Sequence, residues 1–224
     1  MKLGDKFPAF KAKTNIGIIE DFHEWMGDSW AILFSHPADF TPVCTTELAR
    51  AVQLAERFNE RGVRMIALSC DSPESHQRWI SDIIAYADVP HIAPENFPFE
   101  IIADEDRKLA TELGMLDPAE KDGAGIPLTA RAVFIIDPKK QLRAQILYPA
   151  TTGRNFEEIL RVVDSLQLTD RLPVATPEGW NSENETCMVQ PSVPTSEAEK
   201  CFGRVDTVPM PSGKSYLRKV HINN

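Results

Sequence analysis

Cys44 is the residue whose neighbours in the sequence are suited to chemistry. It closes the run His36-Pro-Ala-Asp-Phe-Thr-Pro-Val-Cys44 and is followed by Thr-Thr-Glu47. Upstream, Trp30-Ala-Ile-Leu-Phe-Ser35 reads as a buried strand. Downstream, Leu48, Val52, Ala55 and Phe58 recur at helical spacing until Gly62. The run therefore leads from the end of a strand into the start of a helix. Thr41 suits the N-cap and Pro42 the first helical position, where its missing N–H costs nothing. That counting places Cys44 inside the first turn, beside unpaired backbone N–H groups and the positive end of the helix dipole, which favours a thiolate. The dipole is worth only about 0.3–1 kcal/mol, whereas a neighbouring guanidinium moves an acidic group by roughly 1–3 pKa units, so an arginine would dominate. Ionisation also has a ceiling. A thiol of pKa about 8.5 is already roughly 3% thiolate at pH 7, so complete conversion multiplies the nucleophile only about 30-fold. Fast chemistry at Cys44 must come mostly from donors that hold the electrophile and stabilise charge on its leaving oxygen. Thr41 offers a hydroxyl from the same turn, and Arg131, just before Ala-Val-Phe-Ile-Ile136, is the candidate cation.

The elements that must position these residues are legible in outline. Val63 to Ser69 reads as a second strand, and Pro73 opens a helix with Trp79, Ile80, Ile83 and Ile84 on its apolar side. Strand and helix alternating in this way imply parallel pairing through right-handed crossovers, with ligands held at the strands' carboxyl ends. Pro90, Pro94 and Pro98 mark an irregular loop, followed by a short strand at Phe99 to Ala103 and a short charged helix at Glu105 to Leu113. Ala132 to Asp137 and Leu142 to Tyr148 flank a hairpin-like connection, which adds antiparallel strands and makes the sheet mixed. A helix from Phe156 to Leu168 closes a main domain over 1–168. Beyond it the composition changes: six of the 17 prolines lie between Pro173 and Pro211, without helical periodicity. Two β-prone runs remain there, Thr186 to Gln190 and Tyr216 to Ile222. About 55 residues of this kind do not readily bury a core alone, so 169–224 is expected to dock on the main unit or on a partner subunit.

The 224 residues carry 24 basic and 33 acidic side chains, a net charge of −9, with 42% hydrophobic and 25% charged residues. That is an ordinary globular balance and a poor partner for phosphate backbones, so nucleic acid is not an expected ligand. No apolar run approaches the length of a membrane span, and the start Met-Lys-Leu-Gly-Asp-Lys has no apolar signal core. The final His221-Ile-Asn-Asn224 matches no retention or peroxisomal address. A cytoplasmic protein is the expectation. The cysteines Cys44, Cys70, Cys187 and Cys201 lie 26, 117 and 14 positions apart, so none forms a C-x-x-C pair, and a disulfide scaffold is not expected. Cys70, closing the apolar run from Val63, reads as a small buried hydrophobe. His23-Glu-Trp-Met-Gly27 lacks the second histidine of a zincin, Val208 stands where a P-loop before Gly213-Lys-Ser215 needs glycine, and Leu109 stands where an EF-hand from Asp104 needs one. No metal is expected. His76, His91 and His221 read as solvated or structural, and the sequon Asn184-Glu-Thr186 as idle.

Pro37-Ala-Asp-Phe-Thr41-Pro42-Val-Cys44 resembles the P-x-x-x-T-x-x-C motif of peroxiredoxins, with Phe40-Thr-Pro-Val-Cys-Thr-Thr-Glu47 intact. The blocks Pro149-Ala-Thr-Thr-Gly-Arg-Asn155 and Pro177-Glu-Gly-Trp180 fit as well, so the resemblance covers nearly the whole chain. It implies an α/β, thioredoxin-like fold, a mixed central sheet flanked by helices, with a β-rich C-terminal extension associated with a homodimer. It implies that Cys44 is the peroxidatic nucleophile, which attacks the terminal peroxide oxygen and becomes a sulfenic acid. Thr41 and Arg131 would bind peroxide and hold the thiolate, Pro37 would shield the pocket, and His36, Glu47 and Arg154 match supporting positions. Two-cysteine members carry a resolving cysteine just before the proline of a V-C-P-x-G-W block. Here Ala175-Thr176-Pro177-Glu-Gly-Trp180 places Thr176 there. The chain most resembles the 1-Cys class, including Gly27-Asp-Ser-Trp30 and Ser35-His-Pro37. Reduction then needs an external thiol, which the family suggests is glutathione delivered with a glutathione transferase, or another small thiol. Cys187 and Cys201 are the alternatives, resolving from a partner chain. The implied substrates are hydrogen peroxide and organic or lipid hydroperoxides, and no metal or organic cofactor is implied.

Members of this class also have an assigned phospholipase A2 activity through a G-D-S-W-G motif, a His and an Asp. Here Ser29 and His23 match, Ala31 replaces the last glycine, and the family Asp falls on Lys139 with Asp137 nearby. A nucleophile elbow follows a strand, whereas Ser29 precedes one, so an ordinary turn is the competing reading. A third reading is a redox sensor or chaperone in which Cys44 oxidises without sustained turnover.

Overall fold

The computed structural model describes residues 1–222. A short antiparallel pair, β1 (Ala12–Lys13) and β2 (Ile18–Ile19), opens the chain, followed by a helical turn α1 (Phe22–Met26). Asp21 caps that turn, its carboxylate accepting from the amides of His23 and Glu24. β3 (Trp30–Ser35) is buried at every position, as a strand covered on both faces must be. α2 (Pro42–Asn59) follows it, and Gly62, at φ 64°, makes the left-handed turn into β4 (Val63–Ser69). α3 (Pro73–Ala87) is capped by the Ser72 hydroxyl, which accepts from the Ser75 amide. A 3₁₀ turn at Pro94–Asn96 precedes β5 (Glu100–Ala103) and α4 (Lys108–Glu112). A hairpin of β6 (Leu116–Lys121) and β7 (Pro127–Thr129) leads into β8 (Arg131–Ile136) and β9 (Leu142–Tyr148).

The central sheet has the order β5-β4-β3-β8-β9, parallel across the first three strands and antiparallel across the last three. This is the mixed sheet expected of a thioredoxin-like fold, with β3 at its centre. Phe7, Phe22, Met26, Leu33, Leu68, Phe134 and Leu142 join in a core on one side of it. Each such fully buried side chain is worth roughly 1.5–3 kcal/mol. The β6–β7 hairpin was not legible in advance, because Asp117-Pro-Ala-Glu-Lys121 carries no apolar alternation.

The chain divides into two units, the first from Met1 to Phe156 and the second from Glu157 onward. The composition change after Leu168 therefore falls inside the second unit, within α5 (Phe156–Arg171). That unit goes on through β10 (Val174–Ala175), β11 (Thr186–Val189), α6 (Thr195–Phe202), β12 (Asp206–Thr207) and β13 (Arg218–His221). The strands form an antiparallel sheet in the order β10-β11-β13-β12, around a small core of Leu168, Val174, Trp180, Cys187, Val189, Ala198, Val220 and Ile222. The segment is thus β-rich as expected, and it also holds α6, which no helical periodicity signalled. Two turns between Pro194 and Gly203 are too short to display a period. Asn223 and Asn224, part of the C-terminal address motif considered above, lie outside the described residues. Among the described residues no helix is long and apolar enough to cross a membrane.

Candidate active site

α2 begins where the local signals place it. Thr41 is the N-cap, Pro42 the first helical residue, and Cys44 lies in the first turn, fully buried. The approach to the cap is bent by Phe40, an exposed non-glycine residue with φ 53°. A left-handed residue of this kind costs roughly 1–2 kcal/mol, a strain stored next to the reactive turn. One detail differs from expectation. The Thr41 hydroxyl makes no capping bond and donates instead to the Ala38 carbonyl at 2.8 Å, which leaves its oxygen free to accept. Pro37 is buried in the same loop.

Arg131, the first residue of β8, reaches Cys44. Its Nη1 lies 3.3 Å from Cys44 Sγ and donates to Glu47 Oε2 at 2.8 Å, while Nε and Nη2 donate to the Ala150 carbonyl at 2.8 and 2.6 Å. Glu47, one turn beyond Cys44, also takes Arg154, whose Nε and Nη2 donate at 2.9 and 2.7 Å and whose backbone amide donates at 2.6 Å. Arg154 Nη1 donates to the Ala132 carbonyl at 2.6 Å. Burial raises the Glu47 carboxyl, but the Arg154 hydrogen bonds and the charges of Arg154 and Arg131 outweigh it and hold the group below its ordinary value. With Glu47 ionised, two guanidiniums face one carboxylate. The buried corner therefore holds one positive charge in excess of its carboxylate, directly beside the Cys44 sulfur.

A second buried network flanks the loop. His36 Nε2 donates to Asp39 Oδ1 at 2.8 Å, and His76 Nδ1 lies 2.7 Å from Asp39 Oδ2. The His36 ring packs on Trp79, whose Nε1 donates to Thr45 Oγ1 at 3.2 Å. His76 is therefore not solvated, and Asp39 is a member that sequence reading missed. The available signal was its position three residues after His36. His36, Asp39 and Asp71 cluster at metal-ligand distances, but both Asp39 oxygens accept imidazole hydrogens and Asp71 Oδ2 accepts from the Asp39 amide and Ser69 Oγ.

The remaining sites lie apart from this constellation in the bonding pattern. His23 Nε2 is 2.7 Å from the Phe7 carbonyl, and Ser29 sits in the turn before β3 with its amide on Met26. Among the described residues no hydrogen bond joins the two. Asp137 accepts from the Gln141 amide and pairs with Arg143 at 3.3 Å. Cys70 is half-buried, Cys187 buried and Cys201 exposed, and all are free thiols. Thr176 shares a hydrogen bond of 2.6 Å with Ser165.

Comparison with known proteins agrees with this geometry. The model of the AhpC/TSA family matches residues 3–145. A 1-Cys peroxiredoxin of Dirofilaria immitis is 59% identical, over 97% of this chain and 96% of its own. Among solved structures, a cysteine-to-serine mutant of peroxiredoxin 6 from Arenicola marina is 52% identical, covers 100% of this chain and 99% of its own, and superposes with a TM-score of 0.94. A yeast mitochondrial 1-Cys peroxiredoxin, whose thiol-resolving mechanism runs via glutathione/thioredoxin systems, is 41% identical over 99% of each chain, with a TM-score of 0.85.

Proposed function

The chain belongs to the AhpC/TSA family and is a thiol peroxidase, and from that premise we propose that it reduces hydrogen peroxide and organic or lipid hydroperoxides in a 1-Cys cycle at Cys44. The observation that carries this reading is the Arg131 donor 3.3 Å from Cys44 Sγ, inside a buried cluster whose charges balance when the sulfur is a thiolate.

The thiolate attacks the terminal oxygen of the peroxide. A sulfur–oxygen bond forms as the O–O bond breaks, the sulfur is oxidised to sulfenic acid, and the leaving oxygen takes a proton to become water or an alcohol. Arg131 donates to the developing charge. The Thr41 oxygen accepts a peroxide hydrogen, since its own hydrogen is on Ala38. The first-turn amides of α2, which lack intrahelical partners, add donors at the same place. Pro37 closes the loop side.

The sulfenic acid is then reduced by an external thiol. Thr176 replaces the resolving cysteine, and burial raises the Cys187 thiol above its ordinary value, which disfavours it as an attacking thiolate. Glutathione or a thioredoxin system is the proposed reductant, by analogy with the yeast relative. Because Cys44 is fully buried, that step requires the first turn of α2 to open. A homodimer is supported by β9, an edge strand with Leu147 and Tyr148 exposed, and sedimentation showing only monomer would count against it. A cytoplasmic location is the proposed compartment.

The test is intact mass and peptide mapping after one equivalent of hydrogen peroxide and a sulfenic-acid trap. An adduct at Cys44 without a new disulfide supports the 1-Cys cycle. A disulfide from Cys44 to Cys187 or Cys201 moves the protein to a two-cysteine cycle, and an unmodified Cys44 overturns the assignment. Sustained peroxide consumption with glutathione or dithiothreitol separates an enzyme from a sensor, which stops after one turnover.

A further inference from the structure

The network of His36, Asp39 and His76 is unexplained by the arginine cluster, and its protons can be counted. His76 Nε2 lies 3.2 Å from the Ile102 carbonyl, and a carbonyl only accepts, so Nε2 carries a hydrogen. One proton lies between His76 Nδ1 and Asp39 Oδ2, and another between His36 Nε2 and Asp39 Oδ1. Burial opposes charge on Asp39, but the hydrogen bonds from His36 and His76 prevail and hold its carboxyl well below the ordinary carboxylate range. Both shared protons therefore sit on nitrogen, making His76 an imidazolium paired with a carboxylate. His36 Nδ1 is different. It is buried with no hydrogen-bond partner, the one side-chain nitrogen or oxygen in that state among the described residues. A proton there would be a buried donor with no acceptor, so Nδ1 is a bare lone pair and His36 is neutral.

The carboxylate also fixes the loop. Asp39 stands midway between Pro37 and Thr41, and its amide donates to Asp71 Oδ2 at 2.9 Å. Its side chain is thus tied to His36 at the end of β3 and to His76 on α3, and its backbone to the segment after β4. Asp71 is the other charged group facing the network, and Trp79 of α3 covers the His36 ring with 5.1 Å between centroids.

We propose that Asp39 and His76 are positioning residues for the peroxidase reaction, a buried carboxylate and imidazolium that hold His36 in one neutral tautomer and the Pro37–Thr41 loop in its reactive conformation. The inference rests on the peroxidase reading of Cys44. Asp39 and His76 act through His36 and the loop.

Two measurements on the full-length protein test it. In histidine-15N-labelled protein near pH 7, both ring nitrogens of His76 are expected to be protonated and His36 Nδ1 bare. A protonated His36 Nδ1, or a bare nitrogen on His76, overturns the assignment. In the second, stopped-flow rates of Cys44 oxidation by hydrogen peroxide are compared across roughly pH 4 to 8. His76→Gln removes one of the hydrogen bonds that hold Asp39 low, so burial raises its carboxyl from the wild-type value. The variant is expected to show an additional acid limb, with the rate about tenfold or more below wild type at the acid end. Asp39→Asn, which has no carboxyl to titrate, is expected to be slower without that limb. A purely structural role lowers both variants by one factor at every pH and overturns the proposal, as do superimposable profiles of His76→Gln and wild type. Wild-type protein that fails to oxidise at Cys44 overturns the peroxidase reading instead, and the nitrogen signals still decide the tautomers.

Discussion

Two cysteines stand just beyond the ends of neighbouring parallel strands. Cys44 lies in the first turn of the helix after β3, and Cys70 follows β4 directly. Each has an arginine in its surroundings, yet their chemistry diverges. At Cys70, burial pushes the thiol up to about 12, the charge of Arg107 works against this, and Asp104, Asp71 and Asp122 reinforce it. Arg107 already pairs with Asp122 at 2.7 Å. Such a thiol is about 10⁻⁵ ionised at pH 7, against roughly 3% for an ordinary one. At Cys44 the guanidinium touches the sulfur, and one carboxylate is shared between two arginines. The two thiols thus have different surroundings: one has a guanidinium on its sulfur and a carboxylate shared by two arginines, the other an arginine with a carboxylate of its own.

The comparison breaks most visibly in the nucleophiles themselves. Cys44→Ser is expected to abolish peroxide consumption, a loss of about 10³-fold or more, while Cys70→Ser stays within about twofold, read as consumption with excess dithiothreitol. A comparable loss in Cys70→Ser would end the contrast. Arg131→Met removes the donor on the sulfur and is expected to slow Cys44 oxidation by about 10²-fold or more in stopped flow. Arg107→Met is the matched control, with an unchanged rate expected.

Glu47 connects the contrast to stability. Its folded-state value is depressed, so its contribution is present above the unfolded value, about 4.3, and is lost as pH falls through the folded value. Urea unfolding of wild type is thus expected to weaken with acid below about pH 4, with a shallower slope in Glu47→Gln. At pH 7 that variant is expected to be less stable by about 3 kcal/mol, because it leaves two buried guanidiniums without their carboxylate. The smallest effect is expected at the inert thiol. Asp122→Asn frees the charge of Arg107, and iodoacetamide labelling of Cys70 at pH 8, read by peptide mapping, should rise by about threefold or less. An equal rise at Cys44 would show that the two corners are electrostatically joined.

The sheet and its long helices were legible because their signals are local: fully apolar strands, helical spacing in α2, α3 and α5, and Gly62 at a left-handed turn. The β6–β7 hairpin and α6 were not, since one is too polar and the other too short to show a period. In the site, His76 read as solvated or structural with nothing local to choose between the two, and the role of Asp39 depends on a residue 37 positions away. The Ala150 carbonyl, which takes two hydrogen bonds from Arg131, has no side-chain signal at all.

The sequence alone determined the strand–loop–helix path, the N-cap at Thr41 and the place of Cys44 in the first turn. These follow from backbone propensities and residue identity over a few positions. Tertiary structure decided which charges meet the sulfur. Arg131 is 87 residues from Cys44 and Arg154 is 107 from Glu47. Arg131 arrives because β3 and β8 pair antiparallel with Phe34 opposite Val133, which sets it beyond the end of β3, beside the start of α2. That register is fixed by the buried faces of both strands, and a slip of one residue would turn Arg131 to the other face of the sheet.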